Sequence, residues 1–215
     1  MLERHFGRPR FDSWLRSYFD RHAFTSITTP AFLEDLRATL LGHDAVLEKQ
    51  LRIDEWLFEP GLPANDVPPV SEALEEAAAY AHRVAAQGGI GSSVHTEAWV
   101  TQQWQRFLAE LPERLSPTQM TNLDRTFRFS QKGNAEVLFL WLRLAIRSDY
   151  RDVYPVLERF LTSQGRRKFV EPLFAELVKT DAGRAEAARI YEKARPMYHA
   201  TTRQALETVL SGVHQ

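Results

Sequence analysis

The sequence predicts an all-α protein, an irregular right-handed superhelix of antiparallel helical hairpins in the manner of armadillo or HEAT arrays. Three observations lead there. Apolar residues recur at three- and four-residue spacing along nearly the whole chain, the period of one helix face. No run combines strict alternation with flanking turn residues, as a half-buried strand would. Connections are short, which sets successive helices antiparallel, and one segment is apolar on almost every side, so neighbours must cover it. The absence of a clean internal repeat makes the array irregular.

The elements follow in order. Phe11, Trp14, Leu15, Tyr18 and Phe19 form one stripe of an amphipathic helix. Thr29 reads as an N-cap with Pro30 at the first helical position, where its missing N–H costs nothing. Phe32, Leu33, Leu36 and Leu40 make the buried face, and Gly42 is a left-handed stop. A short helix over 53–58 runs into Glu59-Pro60-Gly61-Leu62-Pro63, the start of a proline-rich connector reaching Pro69. Ser71 begins an alanine-rich helix through Ala86, and 88–93 reads as a flexible loop. Helical patterns then cover 96–111, a segment opened by the capping box Ser116-Pro117-Thr118-Gln119, and 134–147, the segment apolar all round. Four more lie at 149–163, 172–180, 182–194 and 201–210.

Bulk properties remove several functional classes. With 44% hydrophobic and 26% charged residues the chain is not a disordered one. Its 27 basic and 28 acidic residues leave a net charge of −1, so neither nucleic acid nor a membrane is expected as a partner. The absence of cysteine excludes disulfides, thiolate–zinc sites, iron–sulfur clusters and cysteine nucleophiles, and fits a reducing compartment. No signal peptide is visible between Met1 and Arg10, and no run approaches the roughly 20 apolar residues of a membrane span. A cytoplasmic location is the expectation.

Catalytic constellations are equally scarce. There is no H-E-x-x-H, and His5, His22, His43, His82, His95, His199 and His214 are scattered. His95-Thr96-Glu97 resembles the opening of a deaminase motif whose second half requires cysteines. Gly88, Gly89 and Gly91 with Ser92 and Ser93 match neither phosphate-loop spacing, and no G-x-S-x-G elbow occurs. Glu72, Glu75 and Glu76 suit the positive end of their own helix, and the five tryptophans sit on apolar stripes as core residues. No catalytic group and no cofactor site is expected in this chain.

One stretch stands apart, Gly165-Arg166-Arg167-Lys168-Phe169. Gly165 ends one helix and Pro172 suits the first turn of the next, so the residues between read as a linker. In an extended linker Arg166 and Lys168 share a side and Arg167 faces the opposite way; on a continuous helix the two would diverge. Such a pair beside a helix N-terminus suits a carboxylate. Spacing alone favours a solvated basic turn, and both readings stand at this point.

Three stretches resemble the C-terminal domain of leukotriene-A(4) hydrolase and its bacterial aminopeptidase relatives. They are Trp14-Leu15 through Phe24-Thr25-Ser26-Ile27-Thr28-Thr29 to Trp56-Leu57 and Pro60-Gly61-Leu62-Pro63; Trp141-Leu142-Arg143-Leu144; and Gln164-Gly165-Arg166-Arg167-Lys168-Phe169 with Pro172-Leu173-Phe174, Tyr191 and the 197–202 region. Between about 64 and 133 no likeness is visible beyond helical character. The resemblance implies a parent zinc aminopeptidase whose metal ligands and general base lie on an upstream catalytic domain. Zinc is thus implied for that domain and none for this chain.

It further implies that residues 1–215 are a single helical C-terminal domain, with 1–27 assignable to the terminal helix of the catalytic neighbour. That domain would wall the active-site cleft, with Arg166 and Lys168 holding the carboxylate of short peptide substrates and Arg167 in the variable place between them. The implied partners are the catalytic domain of the same polypeptide and those peptides. The alternative is a free-standing helical scaffold that binds a partner protein in its groove.

Overall fold

The computed structural model describes residues 1–87 and 95–212, so the loop expected over 88–93 lies outside the described residues. Among the described residues every regular element is helical. They group into two compact units, Met1–Val70 and Ser71–Gln215. No described helix is long and apolar enough to cross a membrane.

The first unit holds α1 (Leu2–Phe6), α2 (Arg8–Arg21), α3 (Thr29–Leu36), α4 (Ala45–Gln50) and α5 (Ile53–Phe58). The cap of α3 is Thr28, one residue earlier than the sequence suggested, its side chain accepting from the Ala31 amide at 3.4 Å. A π-helical turn, Arg37–Leu41, prolongs α3 until Gly42 stops it at φ 64° in the left-handed region. Trp14, Leu33, Leu36, Leu40, Leu41, Leu51 and Ile53 form the core. Phe19, placed on the α2 stripe by spacing, is largely exposed. Arg21 donates twice to the Asp35 carboxylate, at 2.9 and 2.7 Å, and holds its pKa at about 2.

The second unit holds α6 (Glu72–Gln87), α7 (Thr101–Glu110), α8 (Pro117–Phe127), α9 (Ala135–Arg147), α10 (Tyr154–Ser163), α11 (Arg167–Leu177), α12 (Asp181–Ala194) and α13 (Ala200–Ser211). The capping box of α8 is present: Ser116 Oγ accepts from the Gln119 amide at 3.3 Å while Gln119 Oε1 accepts from the Ser116 amide at 3.0 Å. As its all-round apolarity requires, α9 buries Val137, Phe139, Trp141, Leu142, Leu144 and Ala145. It packs against α7 on one side and α11 on the other, α11 in turn packs on α13, and α10 packs on α12. Alternate helices therefore stack on one another, the packing of a helical-hairpin array.

Direction within the α9–α11 pair can be read from side chains. At their starts Glu136 meets Lys168, in the middle the rings of Phe139 and Phe169 lie 5.5 Å apart, and at their ends Arg147 meets Glu176. The two helices run parallel. Their far ends are fixed by the Glu176 carboxylate, which is only 4% exposed. It accepts from Arg143 Nε at 3.1 Å, Arg147 Nε at 2.7 Å and Lys179 Nζ at 2.6 Å. Burial pushes this carboxyl upward, but the hydrogen bonds from Arg147, Lys179 and Arg143 outweigh it and hold the pKa at about 2.

One expectation fails here. The helix assigned to 172–180 begins at Arg167, and Pro172 lies inside it. An interior proline costs about 3 kcal/mol. Starting the helix early, however, places Phe169 and Val170 in the core at 4% and 0% exposure. Each such burial contributes about 1.5–3 kcal/mol, which offsets the cost.

Two outcomes test this packing. The Glu176 stabilisation is complete above its ordinary pKa of 4.5 and is lost as pH falls through about 2. Glu176→Gln should destabilise the chain by about 2–4 kcal/mol at neutral pH, and the gap should close toward pH 2 in denaturant titrations. A gap of constant size would mean that the charge does not hold the helices. At Gly183 an added Cβ would lie 2.1 Å from the Leu177 carbonyl oxygen. Although alanine is the better helix former by about 1 kcal/mol, Gly183→Ala should lower stability by about 1–3 kcal/mol. A raised melting temperature would show that the α11–α12 turn has room.

Candidate functional site: a rim of helix starts

The starts of α7, α9, α11 and α13 form a row in the second unit. Asn134, the cap of α9, accepts from the Glu136 and Val137 amides and donates through Nδ2 to Oγ1 of Thr101, the first residue of α7, at 2.9 Å. Lys168 in the first turn of α11 reaches Glu136 in the first turn of α9, with Nζ 2.6 and 2.7 Å from the two carboxylate oxygens. Thr202 in the first turn of α13 donates to the Gly165 carbonyl at 3.5 Å, just ahead of α11. Each helix start carries partial positive charge, so the row is an electropositive edge.

The three consecutive cations are used differently. Arg166 is the cap of α11, extended at φ −75° and ψ 116°, and its carbonyl accepts from the Phe169 and Val170 amides. Its guanidinium is exposed and has no hydrogen bond or ion pair among the described residues; it lies over the Phe169 ring, 5.6 Å from the centroid. Arg167 turns back along its own helix to Glu171, at 2.5 and 3.3 Å, and this pairing raises its pKa. Lys168 Nζ also lies over the Phe169 ring, at 5.3 Å. The ring itself is buried against Phe139 and Phe160.

The structure brings Arg166 and Lys168 to one ring, Phe169, by a geometry other than the extended linker the sequence suggests. The linker is not extended through 165–169, since Lys168 is already helical. Arg166 and Lys168 come to one ring because the first is a cap that folds back over Phe169 and the second is anchored across to α9. Arg167 is held by Glu171 on its own helix, not by the alternation of an extended linker.

No side chain caps α11, no acidic residue stands in its first turn, and the Arg167 and Lys168 amides have no acceptor among the described residues. Chemically this is an anion-accepting corner with one uncommitted guanidinium. Sequence reasoning missed Glu136. Its place in a first turn after Asn134 was legible, but its contact with a lysine on another helix was not. Among the described residues no group of three or more His, Asp or Glu side chains comes together to hold a metal ion, so the donor set present here does not fit a zinc site.

Architecture and rim define an all-helical, repeat-like domain with a cationic edge. The chain belongs to the family described as "Leukotriene A4 hydrolase, C-terminal", which matches residues 99–210. That match begins at Trp99, so the second half of the stretch in which the sequence offered no resemblance is shared with the family.

Among its relatives are a leucine aminopeptidase 2 of Ajellomyces capsulatus, 27% identical over 98% of this chain, and a leukotriene A-4 hydrolase of Xenopus laevis, 26% identical over 94%. An aminopeptidase B of Mus musculus is 28% identical over 97%. The chain spans about a third of the length of each: 35%, 34% and 33%. A solved structure of native yeast LTA4 hydrolase superposes with a TM-score of 0.75 over 93% of this chain and 35% of its own, at 22% identity, a likeness of fold.

Proposed function

We propose that this chain is the C-terminal accessory domain of a zinc aminopeptidase, walling the active-site cleft and anchoring the carboxylate of short peptide substrates. The observation that carries the reading is Arg166. A guanidinium left without a counter-ion at an uncapped helix start is what a carboxylate site requires before its ligand arrives. Arginine presents two parallel N–H groups to a carboxylate, and Lys168 adds a point charge beside it. The metal and the groups that cleave the peptide bond belong, in this reading, to a region outside these 215 residues. What the chain supplies is position and charge.

The names of the relatives support the peptide assignment, since two of the three are aminopeptidases and the third a leukotriene hydrolase. The first unit supports a protein neighbour. Phe19, Phe24, Phe58 and Leu62 are exposed in this unit, and Met1, Phe11, Phe32, Ile53, Trp56 and Leu57 line a groove of about 370 Å³. Apolar surface of this kind calls for cover, which the catalytic region of the same polypeptide would provide.

A charge-assisted hydrogen bond is worth about 1.5–3 kcal/mol. In the enzyme that carries this chain, Arg166→Ala should lower kcat/KM for tripeptide acids roughly ten- to a hundredfold. Arg167→Ala, which removes a cation already neutralised on its own helix, should change it by less than about twofold. Amidating the peptide C-terminus should abolish most of the Arg166 effect. Equal losses on acid and amide substrates would end the anchor role.

A further inference from the structure

Resting on the anchor reading just given, we infer that Glu136 is a charge-selecting positioning residue for the substrate's last side chain. It holds the Lys168 ammonium in place, disfavours peptides ending in an acidic residue and favours those ending in a basic one.

The geometry begins with the ammonium. Lys168 Nζ has three N–H donors, and two lie on Glu136 Oε1 and Oε2 at 2.6 and 2.7 Å. One donor is left, and the free guanidinium of Arg166 lies over the same Phe169 ring as the ammonium. Glu136 is itself fixed: its amide is held at 2.9 Å by the Asn134 side chain, and Gln105 Nε2 approaches its Oε2 at 3.4 Å. The contact is not needed to join α9 to α11. Glu176 with Arg143 and Arg147 does that at the far ends, and Phe139 against Phe169 does it in the middle. A half-exposed ion pair would add little to that packing.

Charge is what Glu136 changes. Arg166, Lys168 and Glu136 together carry +1, matched to one carboxylate; without Glu136 the corner would carry +2 and suit a dianion. Glu171 does not alter this sum, because it is committed to Arg167. A carboxylate on the remaining Lys168 donor shares one ammonium with Glu136, so the two anions sit roughly 5 Å apart. The side chain of the substrate's last residue then lies within the field of Glu136. At that range, in a partly exposed site, one unit charge should shift affinity about three- to tenfold in either direction.

The test uses the 215-residue chain and N-acetyl dipeptides ending in Ala, Asp or Lys, each as free acid and as amide. Binding is followed by nuclear magnetic resonance at the Arg166 side-chain Nε–H and the Arg167 and Lys168 amides. Kd for the acids should rise in the order Lys-, Ala-, Asp-ended. The Asp-to-Lys ratio of Kd should shrink about ten- to a hundredfold in Glu136→Gln and be kept in Glu136→Asp. A Glu136→Gln chain that weakens all three acids equally would make the residue merely structural and overturn the inference. Equal Kd values for the Asp- and Lys-ended acids on the unaltered chain would overturn it without any variant. In both cases acid binding that still depends on Arg166 leaves the anchor standing. Identical shifts from acids and amides, or none from either, would instead remove the anchor and this inference with it.

Discussion

The rim depends on one buried carboxylate. Taking a carboxylate out of water costs several kcal/mol, so Glu176 stays ionised only because three cations close on it. Two of them, Arg143 and Arg147, stand one turn apart on α9 and face the same way. Together they set both the rotation and the register of α11 against α9. The first turns of the two helices meet because their last turns are locked in this parallel arrangement and Phe139 packs on Phe169 between them. Lys168 reaches Glu136 as a consequence.

The start of α11 combines a fixed backbone with a free head group. Pro172 has no N–H to give to the Lys168 carbonyl, so the hydrogen-bond ladder of the first turn is short of one member. Burial of Phe169 and Val170 fastens that turn instead, and both amides close on the Arg166 carbonyl. The Arg166 main chain is thereby held while its guanidinium lies over a buried ring with no partner among the described residues. In a site of this form the backbone is ordered by the fold, and a ligand has only the Arg166 side chain left to order.

Local signals in the sequence gave the local features. The Ser116–Gln119 box, the Gly42 stop and the short helix from Ile53 to Phe58 depend on residues within a few positions of one another, and all three stand where the sequence puts them. Helices α1 and α4, too short for a periodic stripe, were not read. The start of α7 was set at Thr96, five residues before Thr101, and that of α11 at Pro172, five residues after Arg167. In α11 a local rule about proline yielded to tertiary burial of Phe169 and Val170.

The site was legible in the same proportion. Spacing and a family likeness single out Arg166 and Lys168 as candidates, but the pairings Lys168–Glu136 and Arg143–Glu176 join residues 32 and 33 positions apart. Charges are visible in a sequence. The register that brings them together across two helices is not.

A net charge of −1 constrains how the rim can work. Attraction between exposed charges fades beyond about 8 Å at physiological salt, and a nearly neutral chain has no long-range field with which to gather anionic peptides. The proposed anion site at α11 would act only on a carboxylate already beside it. Within that distance the arrangement of charges matters more than their sum: one guanidinium is open, one ammonium is shared and one arginine is cancelled on its own helix. Such an edge discriminates by position. In the proposed enzyme its contribution would be to hold the far end of a peptide at a fixed place, so that the length of the peptide decides whether its first bond reaches the reacting centre.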